Sequence, residues 1–143
     1  MLVSALLKIK GGDVATIEPE MLISDAVRVL FEERVGALVV SEDGMLVNGI
    51  LSERDVVRSL ATMGCDLMDQ PVRSIMTANV IYCTKDDLVS DLMRLMTEHR
   101  IRHLPVVESG VLCGIVSIGD VVKNRVEELQ SEADAMREYI ASS

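Results

Sequence analysis

The chain writes nearly the same nine residues twice, GILSERDVV at 49–57 and GIVSIGDVV at 114–122. An internal duplication limits the possible folds more than composition does. Each copy must adopt one common design, and the two must share buried surface. A shift of 66 positions places Val14 on Val80, Leu22 on Leu88, Ser24 on Ser90, Asp25 on Asp91 and Arg28 on Arg94. The same shift carries Glu32 to Glu98, Arg34 to Arg100, Leu38 to Leu104, Val40 to Val106 and Gly44 to Gly110. One residue then drops out, and a shift of 65 pairs Gly49 with Gly114, Ser52 with Ser117 and Asp55 with Asp120. The deletion falls just after the Gly44/Gly110 pair, where a turn is expected, and turns tolerate changes of length.

Each copy reads as β-α-β-β-α. Val14–Ile17 and Val80–Cys83 are short strand-like runs. PEMLISDAVRVLFEERV and KDDLVSDLMRLMTEHRI follow, with apolar residues at helical spacing: Leu22, Ala26, Val29, Leu30 and Leu88, Leu92, Leu95, Met96. ALVV and LPVV are strands, EDG and ESG are turns, and LVNGIL and LCGIV are second strands. A second helix opens at Ser52 and at Ser117. The fold class is therefore α/β (α+β), with two such units that each bury one sheet face and pack on each other. The chain divides into an N-terminal helix with the first unit (1–66), a linker with a helical turn at VRSIMT (67–79), the second unit (80–128) and a C-terminal helix extension (129–143). Pro71 fits the first turn of the linker helix.

Charge and composition exclude several classes. Net charge is −9, from 14 basic and 23 acidic residues, which opposes the clustered cations that a nucleic-acid polymer requires. Aromatics are 2% and Trp is absent, so there is no stacking platform for single strands. No apolar run approaches the roughly 18 residues of a membrane span. In MLVSALLKIKGG the lysines follow the apolar stretch rather than precede it, unlike a secretory signal. A soluble cytoplasmic protein is expected, with no membrane partner. Cys65, Cys83 and Cys113 are odd in number and match no zinc spacing, which points to reduced thiols. No metal is predicted.

Ser-x-x-Asp after an apolar strand admits two readings. One is a capping box, although Asp reaches back less easily than Glu or Gln. The other is a ligand clamp: a helix N-terminus favours an anion, the Ser hydroxyl donates to phosphate, and the carboxylate accepts from a ribose diol. Spacing alone leaves both open.

GILSERDVV and GIVSIGDVV, together with RVGALVV at 34–40 and RIRHLPVV at 100–107, resemble tandem cystathionine β-synthase (CBS) domains over about residues 13 to 128. The family pattern is Gly, two aliphatics, Ser or Thr, two variable residues, then Asp, and both copies match it. The resemblance implies units related by a pseudo-two-fold axis, with two clefts between them that bind AMP, ADP, ATP, NAD or S-adenosylmethionine. It also implies a homodimer that regulates another protein. In one cleft Asp120 would hold ribose and Ser117, beside Gly119, would face phosphate. Val14, Ala15, Val35, Gly36 and Ala37 would form the adenine wall, with Arg102 and His103 near phosphate. The opposite cleft would use Ser52 and Asp55, with Arg54 as phosphate donor and Val80, Ile81 and Ile101 as wall. Arg54 corresponds to Gly119, and Gly36-Ala37 to Arg102-His103, so the clefts differ.

His99 reads as a solvated helix residue, and Met93 and Met96 read as core. Val122, Val126, Leu129, Ala133, Met136 and Ile140 recur at alternating intervals of 4 and 3, an apolar seam of the coiled-coil kind. The seam packs either on Leu2, Leu6 and Ile9 or on a partner chain, and the partner chain is the preferred reading. The sequence offers no Ser-His-Asp set, no carboxylate pair beyond the repeated aspartates and no metal-ligand cluster, so no enzyme is expected. A regulatory module binding adenosine nucleotides is the leading expectation. A pure interaction module, with Ser-x-x-Asp serving only as caps, is the alternative.

Overall fold

The computed structural model describes residues 1–142; Ser143, assigned to the C-terminal extension, lies outside the described residues. The chain opens with helix α1 (Val3–Lys10) and runs into the first unit: β1 (Thr16–Ile17), α2 (Ile23–Glu33), β2 (Ala37–Val40), β3 (Gly49–Ser52) and α3 (Glu53–Met63). Two 3-10 turns, Gly64–Asp69 and Val72–Ser74, lead to the second unit: α4 (Val89–His99), β4 (His103–Glu108), β5 (Val111–Ser117) and α5 (Ile118–Ser142). Pro71 is not in the first turn of the linker helix; it is extended (φ −74°, ψ 152°) and immediately precedes the second 3-10 turn.

In the first unit β1 pairs parallel with β2, and β2 pairs antiparallel with β3. The second unit keeps the β4–β5 hairpin, but the expected strand Val80–Cys83 shrinks to one parallel bridge between Cys83 and Val106. Pro105 explains the loss. Cys83 N–H donates to the Pro105 carbonyl, and Val107 N–H donates to the Cys83 carbonyl. The next bond of a parallel ladder would run from the residue-105 N–H to Ile81, and proline has no N–H to give. Val39 holds the equivalent place in the first unit and pairs with Thr16.

Helices α2 and α4 end alike, with Arg34 (φ 55°) and Arg100 (φ 54°) in the left-handed conformation. The hairpin turns contain Gly44 (φ 77°) and Gly110 (φ 79°), where left-handed backbone favours glycine.

Two cores form, and each takes a segment from outside its own unit. Ile17, Ile23, Ala26, Leu30, Leu38, Val40, Leu51 and Val56 of the first unit bury Leu67 and Val72 of the 3-10 turns. Cys83, Val89, Leu92, Met96, Leu104, Val106, Val116 and Val121 of the second bury Val3, Leu6 and Leu7 of α1. Helix α1 precedes the first unit in sequence yet packs in the second. Matching bridges tie the segments down, Leu2 to Leu88 and Pro71 to Leu22. Matching glycines admit them: a Cβ at Gly114 would stand 2.6 Å from Leu7 Cδ2, and one at Gly49 would stand 2.8 Å from Met76 Sδ. The exchange makes the two units mutually dependent.

Candidate functional site

Strands β3 and β5 each end at a serine that starts a helix, and the Ser-x-x-Asp boxes close at both. Ser52 N–H donates to Asp55 Oδ2 at 2.9 Å, and Asp55 N–H donates back to Ser52 Oγ at 3.3 Å. Ser117 N–H donates to Asp120 Oδ2 at 2.9 Å, and Asp120 N–H donates to Ser117 Oγ at 3.2 Å. Aspartate thus completes the box despite its short reach, because Ser52 is extended (φ −109°, ψ 162°) and holds its N–H towards the next turn. The N–H groups of Glu53 and Ile118 go to the carbonyls of Gly36 and Arg102, at 2.9 and 2.8 Å. At both helix N-termini, therefore, the first N–H group already has an acceptor.

Between the units lies one cavity of about 570 Å³, joining the two clefts expected from sequence. The first unit supplies Gly36, Ala37, Ser52, Arg54 and Asp55, and the second supplies Ile101, Arg102, His103, Ser117 and Gly119. Six expected residues are not in its lining. Ala15 and Ile81 pack against the hydrophobic cores of their own units, and Val14 and Val80 are half-buried beside them. Val35 borders a neighbouring surface hollow with Phe31 and Glu53. Asp120 is engaged by Lys10, whose ammonium donates to its Oδ2 at 2.6 Å and to the Ile115 carbonyl at 2.7 Å.

The cavity also holds residues the sequence reading missed or misplaced. Arg58, Thr77 and Arg100 line it, as does His99, which is exposed and yet faces the cavity. Arg58 was discoverable, since it lies four residues after Arg54 and therefore on the same face of α3. Arg100 was not, because its place depends on the left-handed turn that ends α4. Its carbonyl accepts from Arg54 Nη1 at 2.8 Å, tying the first unit's clamp helix to the second unit. Thr77 Oγ1 donates to Asp55 Oδ1 at 3.4 Å.

Electrostatically the cavity runs against the molecule. Arg54, Arg58, Arg100 and Arg102 face Glu53 and Asp55 in a chain of net charge −9. His103 pairs with Ser117 across the β4–β5 ladder, and its Cε1 lies 3.3 Å from where a Cβ on Gly36 would stand. Burial, with Arg102 adding to it, pushes the imidazole pKa below its ordinary value and favours the neutral ring. Burial pushes the Asp120 carboxyl up, but the Lys10 ammonium and the Ser117 N–H outweigh it and hold the group below its ordinary value. Such a site can accept hydroxyls at Asp55 and hold an anion at its arginines, while Asp120 lies outside the lining and is occupied by Lys10. Away from it, burial pushes the Cys83 thiol up to about 12, with Asp87 and Cys113 adding to the effect, which leaves it unreactive at neutral pH. Among the described residues no group of three or more His, Cys, Asp or Glu is arranged to hold a metal ion, and no helix is long and apolar enough to cross a membrane.

Comparison with known proteins agrees with the architecture. The family model for the CBS domain matches residues 9–62 and again 72–127. CBS domain-containing protein YhcV of Bacillus subtilis is 34% identical over 79% of this chain and 79% of its own length. The mitochondrial CBS domain-containing protein CBSX3 of Arabidopsis thaliana is 36% identical over 96% of this chain and 71% of its own. Among solved structures, the CBS-domain protein ATU1752 of Agrobacterium tumefaciens superposes with a TM-score of 0.84 at 44% identity, covering 87% of this chain and 99% of that one. The CBS domain pair of protein MJ0100, solved with 5′-methylthioadenosine and S-adenosyl-L-methionine, gives 0.78 at 25% identity over 90% of this chain and 98% of its own. With the family model matched twice and both Ser-x-x-Asp boxes in place, the chain belongs to the CBS-domain family as a tandem pair.

Proposed function

We propose that the chain is a regulatory module that binds adenosine nucleotides (AMP, ADP, ATP or NAD) in the cavity between its units and carries out no chemistry of its own. The observation that carries this reading is the cavity itself: within a strongly acidic protein a cluster of arginines lines it together with one repeated carboxylate, Asp55, while the other, Asp120, sits behind the lining residue Ser117. Asp55 and Asp120 accept from ribose hydroxyls, while Arg54, Arg102 and His103, with Arg58 beside them, hold phosphate. Gly36, Ala37 and Ile101 offer the adenine an aliphatic and backbone wall. The cavity's size falls within the range of about 300–1,000 Å³ typical of small-molecule sites. The adenosine ligands of the related MJ0100 pair support the same chemistry here. The occupied form acts on a separate protein, and the chain works as a cytoplasmic homodimer.

Thermal unfolding with and without AMP, ATP, NAD and S-adenosylmethionine tests this. A ligand at 100 times its dissociation constant adds about 2.7 kcal/mol to folding stability. Asp55→Asn combined with Asp120→Asn should abolish that gain. A second reading has its own support, since both capping boxes are closed without any ligand. In it the motifs serve only as caps and the protein is an interaction module. Failure of every adenosine compound to shift the melt, on protein stripped of carried-over ligand, decides for that reading.

A further inference from the structure

The two repeated carboxylates are not equivalent. Asp55 faces the neutral hydroxyl of Thr77, whereas Asp120 is paired with the ammonium of Lys10 at 2.6 Å. Lys10 lies at the C-terminal end of α1, a helix fixed by Val3, Leu6 and Leu7 in the second core, so the ammonium is delivered by an anchored element. Both side chains are largely covered, at 29% and 24% exposure. The second bond of Lys10, to the Ile115 carbonyl, holds it against β5 at the foot of the clamp.

We propose that Lys10 is the specificity gate of the Asp120 cleft, yielding the carboxylate only to a ligand that brings a phosphate to receive the ammonium. The gate rests on the reading of the cavity as an adenosine-nucleotide site. A ribose diol that reaches Asp120 must break the ion pair. An uncharged nucleoside offers nothing in return and leaves a partly desolvated ammonium without an anion. A phosphate supplies a charge-assisted partner, and the flexible four-carbon stem of lysine can swing from carboxylate to phosphate without moving α1. Among the described residues no cation is paired with the Asp55 carboxylate, so its cleft discriminates less between nucleoside and nucleotide.

Calorimetric titration with AMP and with adenosine tests the gate. An Asp55→Asn background leaves Asp120 as the intact clamp. In that background the protein should prefer AMP to adenosine. Adding Lys10→Met should tighten adenosine about fivefold while AMP stays level or weakens, so that the preference collapses. Lys10→Arg should retain the preference, because it keeps the cation. Lys10→Gln, which removes the charge and keeps much of the stem, repeats the measurement should Lys10→Met fail to fold. Equal changes for AMP and adenosine, or no change for either, overturn the gate while leaving nucleotide binding intact. Absence of AMP and adenosine binding in the unsubstituted protein overturns the gate, and if ATP, NAD and S-adenosylmethionine also fail to bind, the nucleotide reading falls with it.

Discussion

His103 opens β4 with its ring against the backbone of Gly36, across the gap between the two units. Burial comes first and Arg102 second in pushing its pKa down, so the folded protein binds the proton less well than the unfolded chain. Stability from this group is therefore present above the ordinary histidine value and is lost as pH falls through the lowered folded value. A bound anion reverses the preference, because it stabilises the imidazolium. If His103 faces phosphate, AMP binding takes up a proton. The affinity of the unsubstituted protein relative to His103→Asn should then rise as pH falls from about 7.5 to 6. Calorimetry in two buffers of different ionisation enthalpy measures the proton uptake. A flat affinity ratio over that range removes His103 from the phosphate site. His103 was a candidate in the sequence because of its neighbour Arg102. Its dependence on Gly36, 67 positions earlier, was not legible there, because that contact exists only once the units meet.

Helices and turns followed their local patterns closely, with apolar spacing marking α2 and α4 and Gly44 and Gly110 marking the hairpins, whereas two strands of the first unit came out shorter, β1 covering only Thr16–Ile17 and β3 starting at Gly49. What local pattern could not convey is ownership. Val3, Leu6 and Leu7 are apolar at helical spacing whichever unit they serve, and only the assembled fold assigns α1 to the second core. Lys10 reaches Asp120 for the same reason, across 110 positions of chain. The shortened first strand of the second unit, by contrast, has a cause written in the sequence. Pro105 stands where Val39 stands and withholds one ladder donor. Pro105→Val should restore it, and amide exchange at position 105 should show protection comparable to that at Val39. Rapid exchange there would mean that the segment before Cys83 is held off β4 by something other than the missing N–H. The exchanged segments make a second prediction. Gly114→Ala puts a methyl 2.6 Å from the largely buried Leu7, and overpacking of this kind costs about 1–3 kcal/mol. Denaturant unfolding should register that loss. A cost near zero would show that α1 shifts freely on β5.

At the scale of the molecule the unsettled surface is α5. Its buried residues, Val121 and Asn124, lie within its first two turns, while the helix runs on to Ser142, about 37 Å in all. Leu6, offered by the sequence as a resting place for the tail, is instead taken up by the second core. The seam is left facing solvent: Val126 is 59% exposed, Leu129 48% and Met136 59%. Beyond Glu128, which pairs with the Met1 amino group at 3.9 Å, every described residue of α5 is exposed, and an apolar stripe in water is costly to leave uncovered. A second copy would bring an identical stripe with the same spacing, the geometry that lets two helices interlock. The chain should therefore sediment as a dimer, and Val126→Glu combined with Leu129→Glu should convert it to a monomer. The cavity is built within one chain, so the monomer should still bind nucleotide, while any effect on a regulated partner that depends on paired modules should be lost. An unsubstituted protein that sediments as a monomer would show that the seam does not serve self-association. Ligand binding lost together with the dimer would instead mean that the second copy completes the site.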